Sequence, residues 1–373
     1  MATPSASDAA TLGRVAFAIP GDLDTPELVV DVDRLDRNIA RMAADANAQG
    51  VALRPHAKTH KSVEIALRQL SAGAVGMTVA TIGEAEVFAA AGTTDVFIAY
   101  PVWASAPKAA RLRELATTID LSVGADSVES VRQLATALSG TTARVLVEVE
   151  SGNQRTGVSP ADVVELAHAI EREGLLTGGV FTHGGHSYAG RDRVAAASDD
   201  EIGSIATAVA ALEAAGFDVP VRSAGSTPTA LRSAAGRVNE IRPGTYVYND
   251  RLQLHLGSCE PDDVALLVAT TVVSHAGGRF VLDAGAKTLT KDVPAVLTGF
   301  GALPAFPQAV IERVYDHHAI VDPGGGGRPP IGAVVAVVPN HVCPVVDLAA
   351  TTVVVSDGAA VDRWAVDAHN RSG

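Results

Sequence analysis

Arg54-Pro55-His56-Ala57-Lys58-Thr59-His60-Lys61 closes an apolar run and opens a helix. The run Val51 to Ala57 reads as a strand, which puts Lys58 at a strand's carboxyl end, flanked by two histidines and a second lysine. Desolvation and neighbouring positive charge both lower an amine's pKa, and a lowered pKa makes a lysine a nucleophile toward an aldehyde. The bland alternative is a solvated basic turn at a helix start. Spacing alone does not separate the two.

From this stretch outward a βα unit recurs. Apolar runs at 51–57, 76–80, 95–100, 120–124, 144–149, 178–183, 221–224 and 241–248 read as strands. Between them lie Ala-rich amphipathic stretches at Ser62–Ser71, Glu84–Ala91, Lys108–Thr117, Val128–Leu138, Ala161–Glu173 and Glu201–Ala215. The strands are short and Val-rich with little polar alternation, as expected where both faces of a parallel sheet are buried. Eight of them predict an α/β fold, a (β/α)8 TIM-type barrel. No GxGxxG follows the first strand, which argues against a doubly wound dinucleotide binder.

Ahead of the barrel, residues 1–27 read as an Ala/Ser-rich arm. Leu28 to Val32 reads as a strand, with Asp33 as N-cap of a helix reaching about Ala48. Residues 28–254 are assigned to the barrel and residues 255–373 to a smaller β-rich domain, to which the strand at Leu28 also offers itself. The β-rich reading rests on strand-like runs at Val264–Ser274, Phe280–Ala284, Ile331–Val338, Val345–Val355 and Val361–Val366. Pro323 to Pro330, with four successive glycines, reads as a mobile loop. It lacks a Gly-Lys-Ser/Thr ending, so it is not a P-loop.

Composition bounds the function. The chain has 373 residues, 47% of them hydrophobic and only 4% aromatic, so its core is built from Val, Ala, Leu and Ile. With 29 Lys and Arg against 42 Asp and Glu, the net charge of −13 argues against nucleic acid and against an anionic membrane surface. No window reaches the roughly 18 apolar residues of a membrane span. No signal peptide is read at the N-terminus. Two cysteines, Cys259 and Cys343, suit reduced thiols rather than a disulfide framework. The expectation is a soluble cytoplasmic protein.

In a barrel the reactive groups come from the strands' carboxyl ends. These ends supply His56 and Lys58, then Tyr100, then Glu148 to Arg155. They continue with His183-Gly184-Gly185-His186-Ser187-Tyr188, Gly225-Ser226-Thr227, and Tyr246 to Asp250. The small-residue turn at 225–227 offers backbone N–H groups and two hydroxyls to an anion, after the seventh strand, where barrels often hold phosphate. Alone it is an ordinary helix cap. Paired with an aldehyde-seeking lysine, it points to pyridoxal 5'-phosphate, which needs both. A second cluster is His341-Val342-Cys343. Residues two apart in an extended segment point the same way, and thiolate with imidazole favours zinc. Two protein ligands leave positions for water or substrate, as in a catalytic site. Cys259 lacks such neighbours and reads as structural.

The segment from Arg54 to Lys61 resembles the cofactor-lysine motif of the fold-type III pyridoxal-phosphate enzymes in the D-serine dehydratase and D-threonine aldolase group. The likeness runs from Thr25-Pro26 to His341–Cys343. Ala80-Thr81-Ile82-Gly83-Glu84-Ala85-Glu86, Ala99-Tyr100-Pro101, Gly225-Ser226-Thr227-Pro228, Pro243-Gly244-Thr245-Tyr246 and Leu256-Gly257-Ser258-Cys259 look more like the dehydratases. So does His-x-Cys, where many of the aldolases carry His-x-Asp for manganese or magnesium. The resemblance implies an alanine racemase-like barrel followed by a β-domain, and a head-to-tail homodimer. It implies that Lys58 holds pyridoxal phosphate, that Gly225, Ser226 and Thr227 bind its phosphate, and that Tyr188 and Tyr248 lie near it. His341 and Cys343 would hold a divalent metal, with zinc expected and manganese or magnesium as alternatives. Arg242 stands where the racemases place an arginine on the pyridine nitrogen, a residue that the dehydratases often lack. Arg155 is counted among the cofactor contacts.

The activity these residues imply is β-elimination from a D-β-hydroxy amino acid, most simply D-serine to pyruvate and ammonia. Lys58 then takes the α-proton, and zinc activates the β-hydroxyl. A D-threonine aldolase-type cleavage to glycine and an aldehyde is the alternative, with His56 or His186 as base. Racemisation needs an acid on the opposite face, which the sequence does not reveal. A non-catalytic pyridoxal-phosphate carrier needs neither the β-domain nor the metal pair.

Overall fold

The eight Val-rich runs pair as one parallel sheet. In the computed structural model, which describes residues 6–15 and 18–373, the chain runs α1 (Ala6–Leu12), β1 (Glu27–Asp31) and α2 (Val32–Ala48) before the alternation begins. The arm read over residues 1–27 therefore lies partly outside the described residues. The strands that follow are β2 (Ala52–Leu53), β3 (Met77–Val79), β4 (Asp95–Pro101) and β5 (Asp120–Ala125), then β6 (Arg144–Glu148), β7 (Leu176–Phe181), β8 (Val221–Ala224) and β9 (Glu240–Ile241). The helices are α3 (Val63–Ser71), α4 (Ile82–Ala90), α5 (Ala106–Thr118), α6 (Val128–Leu138), α7 (Val163–Arg172), α8 (Val194–Ala214) and α9 (Ala230–Ser233).

The chain divides into two compact units. The first holds residues 41–58, 65–244 and 371–373. Its sheet order is β2-β9-β8-β7-β6-β5-β4-β3, parallel throughout. The two outer strands meet as well: Val75 N–H donates to Leu53 O at 2.9 Å, Thr78 N–H to Pro55 O at 2.8 Å, and His56 bridges Thr78. The sheet is thereby closed, as the (β/α)8 reading requires. Inside it Phe97 meets Phe181 edge-on at 5.0 Å, with Leu146 completing the cluster. A buried ion triad ties three strands: Arg54 donates to Asp95 at 2.6 and 2.9 Å and to Glu240 at 2.8 Å. Burial disfavours the Arg54 cation, but Glu240 and Asp95 outweigh that and hold its pKa above the usual value.

The second unit holds residues 1–40, 59–64 and 245–370. It contributes α10 (Arg251–Leu256), β10 (Leu266–Ala276), β11 (Arg279–Leu282) and α11 (Ala286–Leu289), then β12 (Val310–Val314), β13 (Ala319–Asp322) and β14 (Val334–Val337). It ends with α12 (Val342–Asp347), β15 (Thr351–Ser356) and β16 (Ala359–Ala365). The sheet order is β12-β13-β11-β10-β1-β15-β16, with β14 on β10. The strand at Leu28 thus belongs to this sheet, parallel to β15 and antiparallel to β10. Leu12 and Val15 of the arm pack with Leu254, Val264, Leu267 and Val338. Among the described residues no helix is long and apolar enough to cross a membrane.

Three local expectations need correction. The run 241–248 is a strand only at Glu240–Ile241; Pro243 has no N–H to extend the ladder, and Thr245–Val247 forms a 3-10 turn. The run Val345–Val355 is split between α12 and β15, because Val342, Val345 and Val346 recur at helical spacing and are all buried. The carboxylate that accepts a first-turn N–H of α2 is Asp31, from Arg34 N–H at 3.0 Å, rather than Asp33.

Candidate active site

Parallel strands end on one side, so the groups that follow β2, β6, β7, β8 and β9 share one end of the first unit's sheet. Pairing continues past β2 at alternate residues, with Arg54 N–H reaching Ile241 O at 3.0 Å, and Pro55 falls where that side needs no N–H. The chain then turns through a 3-10 segment at Ala57–Thr59, so Lys58 sits on a tight turn beyond the strand rather than on it. His56 N–H donates to Pro243 O at 3.0 Å, and its Nδ1 accepts the Lys58 N–H at 3.4 Å.

Arg242 follows β9 and is 7% exposed. Its guanidinium donates to Ser223 Oγ and, at 2.6 Å, to Thr182 O. It lies 5.4 Å from the Phe181 ring centroid and 5.8 Å from that of Phe97. Ser223 Oγ in turn donates to Glu240 at 2.6 Å. Burial pulls the Arg242 pKa below its ordinary value, against the charges of Glu240, Glu201 and Glu148. This is a fixed cation seated on aromatic rings.

The turn after β8 needs glycine at its head. Gly225 has φ +82°, and a Cβ there would lie 2.9 Å from Ala230 Cα. Two of its N–H groups are already engaged: Gly225 donates to Glu201 Oε1 at 3.2 Å and Ser226 to Thr229 Oγ1 at 3.0 Å. Ser226 Oγ also lies 3.3 Å from Thr229 Oγ1, so the turn is held by its own hydrogen bonds and by Glu201. The expected cap of the following helix falls to Thr229, not to Ser226 or Thr227.

His183 is surrounded by positive groups. Burial, then Lys58, Arg155, Arg242 and His186, hold its pKa well below 6.5, so it is a neutral imidazole at pH 7. Its ring centroid is 6.4 Å from that of Tyr188. His186 Nε2 lies 3.1 Å from Asp200 Oδ2. Arg155 is half-exposed, its Nη2 4.0 Å from Glu148 Oε1. Buried Glu148 accepts from Thr156 Oγ1 at 2.8 Å, and burial pushes its pKa up. Glu148 Oε2, His186 Nδ1 and Ser187 Oγ are buried polar atoms with no partner. Each such group costs about 1–3 kcal/mol, which a polar ligand would relieve. Concentrated positive charge, a hydroxyl turn, a lysine and unmet polar atoms at one end of the sheet fit an anionic pyridoxal phosphate.

The second unit holds the other candidates. His341 occupies the N-cap position of α12 and Cys343 lies in its first turn, so the extended geometry expected of them is not what joins them. Cys343 is nonetheless the first of the groups that favour a charged His341. His341 Nδ1 lies 2.7 Å from Asp292 Oδ2, and the Cys343 thiol donates to Thr59 Oγ1 at 3.3 Å. Burial opposes the His341 cation, but Cys343, Asp292 and Asp250 outweigh it and raise its pKa to about 11. Buried Asp250 caps α10 through Gln253 N–H at 2.8 Å and also accepts from Val342 N–H at 3.0 Å. Among the described residues no three His, Cys, Asp or Glu side chains gather to hold a metal. A soft imidazole–thiol pair still fits an open zinc site, which leaves positions to water or substrate. Tyr248 is 1% exposed, and burial pushes its phenol pKa up.

Within the first unit the structure brings Lys58, Arg155, His186 and Arg242 around His183. Sequence reading listed His183 only as a strand end, and it passed over Glu201 and Asp292. Asp292 could not be found by spacing, since it lies 49 residues from His341. The sequence reading starts this helical stretch at Glu201. That helix begins at Val194 instead, which turns Glu201 inward with Ala197, Ser198 and Ile205.

Residues 30–251 match the alanine racemase N-terminal domain family, and residues 265–355 match the serine dehydratase domain family. A D-threo-3-hydroxyaspartate dehydratase of Delftia sp. (strain HT23) is 37% identical over 86% of this chain and 91% of its own. The crystal structure of a D-threonine aldolase from Filomicrobium marinum superposes with a TM-score of 0.86 at 31% identity, covering 96% of this chain and 99% of that one. A cysteine-to-alanine mutant of a D-threo-3-hydroxyaspartate dehydratase, in the metal-free form, gives a TM-score of 0.83 at 34% identity, covering 92% of this chain and 98% of that one. The chain belongs to the fold-type III pyridoxal-phosphate enzymes that join an alanine racemase N-terminal domain to a serine dehydratase domain, and it is a lyase.

Proposed function

We propose that the enzyme cleaves D-β-hydroxy-α-amino acids and that its reaction is the dehydration of D-serine to pyruvate and ammonia. The observation that carries the dehydratase outcome is His341 and Cys343 together at the start of α12, with the imidazole held by Asp292; these are soft donors that suit a zinc ion able to draw off a β-oxygen. In this reading Lys58 holds pyridoxal phosphate, and Ser226 and Thr227 bind its phosphate. Arg242 faces the pyridine nitrogen, and Arg155, Tyr188 and Tyr248 line the cofactor. When bound, pyridoxal phosphate supplies the sink for electrons from the α-carbon, and zinc supplies a Lewis acid for the departing oxygen.

Lys58 Nζ would be the base that takes the α-proton. His183, kept neutral by burial and its cationic neighbours, can accept a hydrogen bond without adding charge to an already positive site. Arg242, a buried cation, would disfavour a proton on a pyridine nitrogen placed against it. The head-to-tail homodimer and the cytoplasmic location belong to the same proposal.

A retro-aldol outcome has one observation in its favour. His186 pairs with Asp200 through Nε2 while its buried Nδ1 lacks a partner, as suits a base for a β-hydroxyl. His56 is the other candidate. Product analysis decides. Pyruvate from D-serine, with no glycine from D-threonine, supports the dehydratase; glycine and acetaldehyde from D-threonine without a keto acid overturn it.

A further inference from the structure

One carboxylate ties together the loops after β7 and β8. Glu201 lies two turns into α8, is 0% exposed, and has both oxygens occupied. Its Oε1 accepts Gly184 N–H at 2.7 Å and Gly225 N–H at 3.2 Å; its Oε2 accepts Ser233 Oγ–H at 2.6 Å. Ser233 Oγ is also 2.8 Å from Ser198 Oγ, one turn before Glu201 on the same helix. Gly184 is built around this carboxylate, since a Cβ there would lie 2.8 Å from Glu201 Cδ. A buried anion facing two unrelated loops is costly unless fully hydrogen-bonded, and here it is.

We propose that Glu201 is a positioning residue for the phosphate group of the cofactor. By taking the Gly225 N–H it sets the left-handed turn that aims Ser226 and Thr227, and through Gly184 it sets the loop that carries His183 and His186. The turn therefore has its shape before any anion arrives, which spares the ordering cost of binding. The same carboxylate partly balances buried Arg242. The proposal rests on the reading of residues 225–227 as the phosphate turn.

The test compares pyridoxal 5'-phosphate with pyridoxal, which lacks the phosphate, by equilibrium dialysis against the cofactor-stripped full-length enzyme. E201A is expected to weaken pyridoxal 5'-phosphate about 10-fold or more, the worth of a charge-assisted hydrogen bond, while pyridoxal changes by no more than about 2-fold. E201Q keeps an acceptor for both glycine N–H groups and a donor for Ser233, and is expected to restore most of the affinity. Amide exchange in residues 183–190 and 221–229 should quicken in E201A, with the other barrel strands unchanged. Equal loss of both ligands, or wild-type affinity for both, overturns the role of Glu201. A wild-type enzyme that does not prefer the phosphorylated ligand overturns the phosphate turn itself, which is a different failure. If E201A does not fold, S233A removes one anchor of the carboxylate and should shift the same ratio about 3-fold. An unchanged ratio in S233A overturns the proposal.

Discussion

Asp292 Oδ2 lies 2.7 Å from His341 Nδ1, across 49 residues of chain. The hydrogen bond holds the ring through Nδ1, so Nε2 is the nitrogen a metal would take, the arrangement that carboxylates commonly impose on metal-binding histidines. It also holds the Asp292 carboxyl below its usual pKa.

Removing that orientation should weaken the metal without removing a ligand. D292N is expected to lower zinc affinity about 10–100-fold, measured by competition with a fluorescent chelator. C343A should lower it further. Wild-type affinity in D292N would show that Asp292 does not orient the imidazole.

Stripping the metal should stop pyruvate formation from D-serine and leave the cofactor's absorbance in place, because cofactor and metal are assigned to different residues. Zinc should restore turnover. Full activity in enzyme shown by elemental analysis to be metal-free would remove the metal from the mechanism.

Borohydride reduction followed by peptide mapping should label Lys58 and not Lys61. Lys61 Nζ is committed to Asp347 Oδ1 at 2.5 Å and is nearly buried. K58A should lose the visible absorbance band altogether. A label on Lys61 would contradict the assignment of the cofactor lysine.

His183 makes a pH prediction with a defined sign. Its folded pKa lies well below 6.5 because of burial and the surrounding cations, so below about pH 6.5 the unfolded chain binds the extra proton first. Its contribution to stability is complete above about pH 6.5 and is lost as pH falls toward the folded pKa. The slope reaches at most about 1.4 kcal/mol per pH unit. Denaturant unfolding of wild type and H183N at pH 7.5 and 5.5 should show the gap between them shrinking at the lower pH. A constant gap would mean that His183 is not held neutral.

Arg54 should matter for stability rather than for chemistry. R54A leaves Glu240 without its cation inside the sheet, and Asp95 without its bidentate partner. The expected cost is about 3–5 kcal/mol, read from the urea midpoint. The double variant R54M/E240Q should recover only part of it, since Glu240 also balances buried Arg242 beside Ser223.

The alternation of Val-rich runs with Ala-rich amphipathic stretches was enough to predict the barrel, because burial on both faces of a parallel sheet leaves a compositional trace in every strand. Lys58, Gly225-Ser226-Thr227 and His341–Cys343 were legible for a related reason. Their chemistry is local, carried by residue type at the end of a strand or by two residues close in sequence. The run 241–248 misled because an apolar stretch does not show where Pro243 ends its ladder. Val345–Val355 misled because a short apolar run fits a helix as well as a strand.

Other features depend on residues far apart in the chain. Glu201 and Gly225, Asp292 and His341, and Arg54 with Asp95 and Glu240 are joined only once the backbone has closed, so no spacing rule can pair them. The sequence offers β1 to the second unit's sheet, but its partners there, β10 and β15, come from the tertiary structure. The sequence by itself determined the barrel, through hydrophobic period, and proposed the lysine and the soft metal pair from side-chain chemistry. Only the tertiary structure decided which carboxylates meet these segments, Glu201 at Gly225 and Asp292 at His341, because such pairing is a property of three-dimensional neighbours.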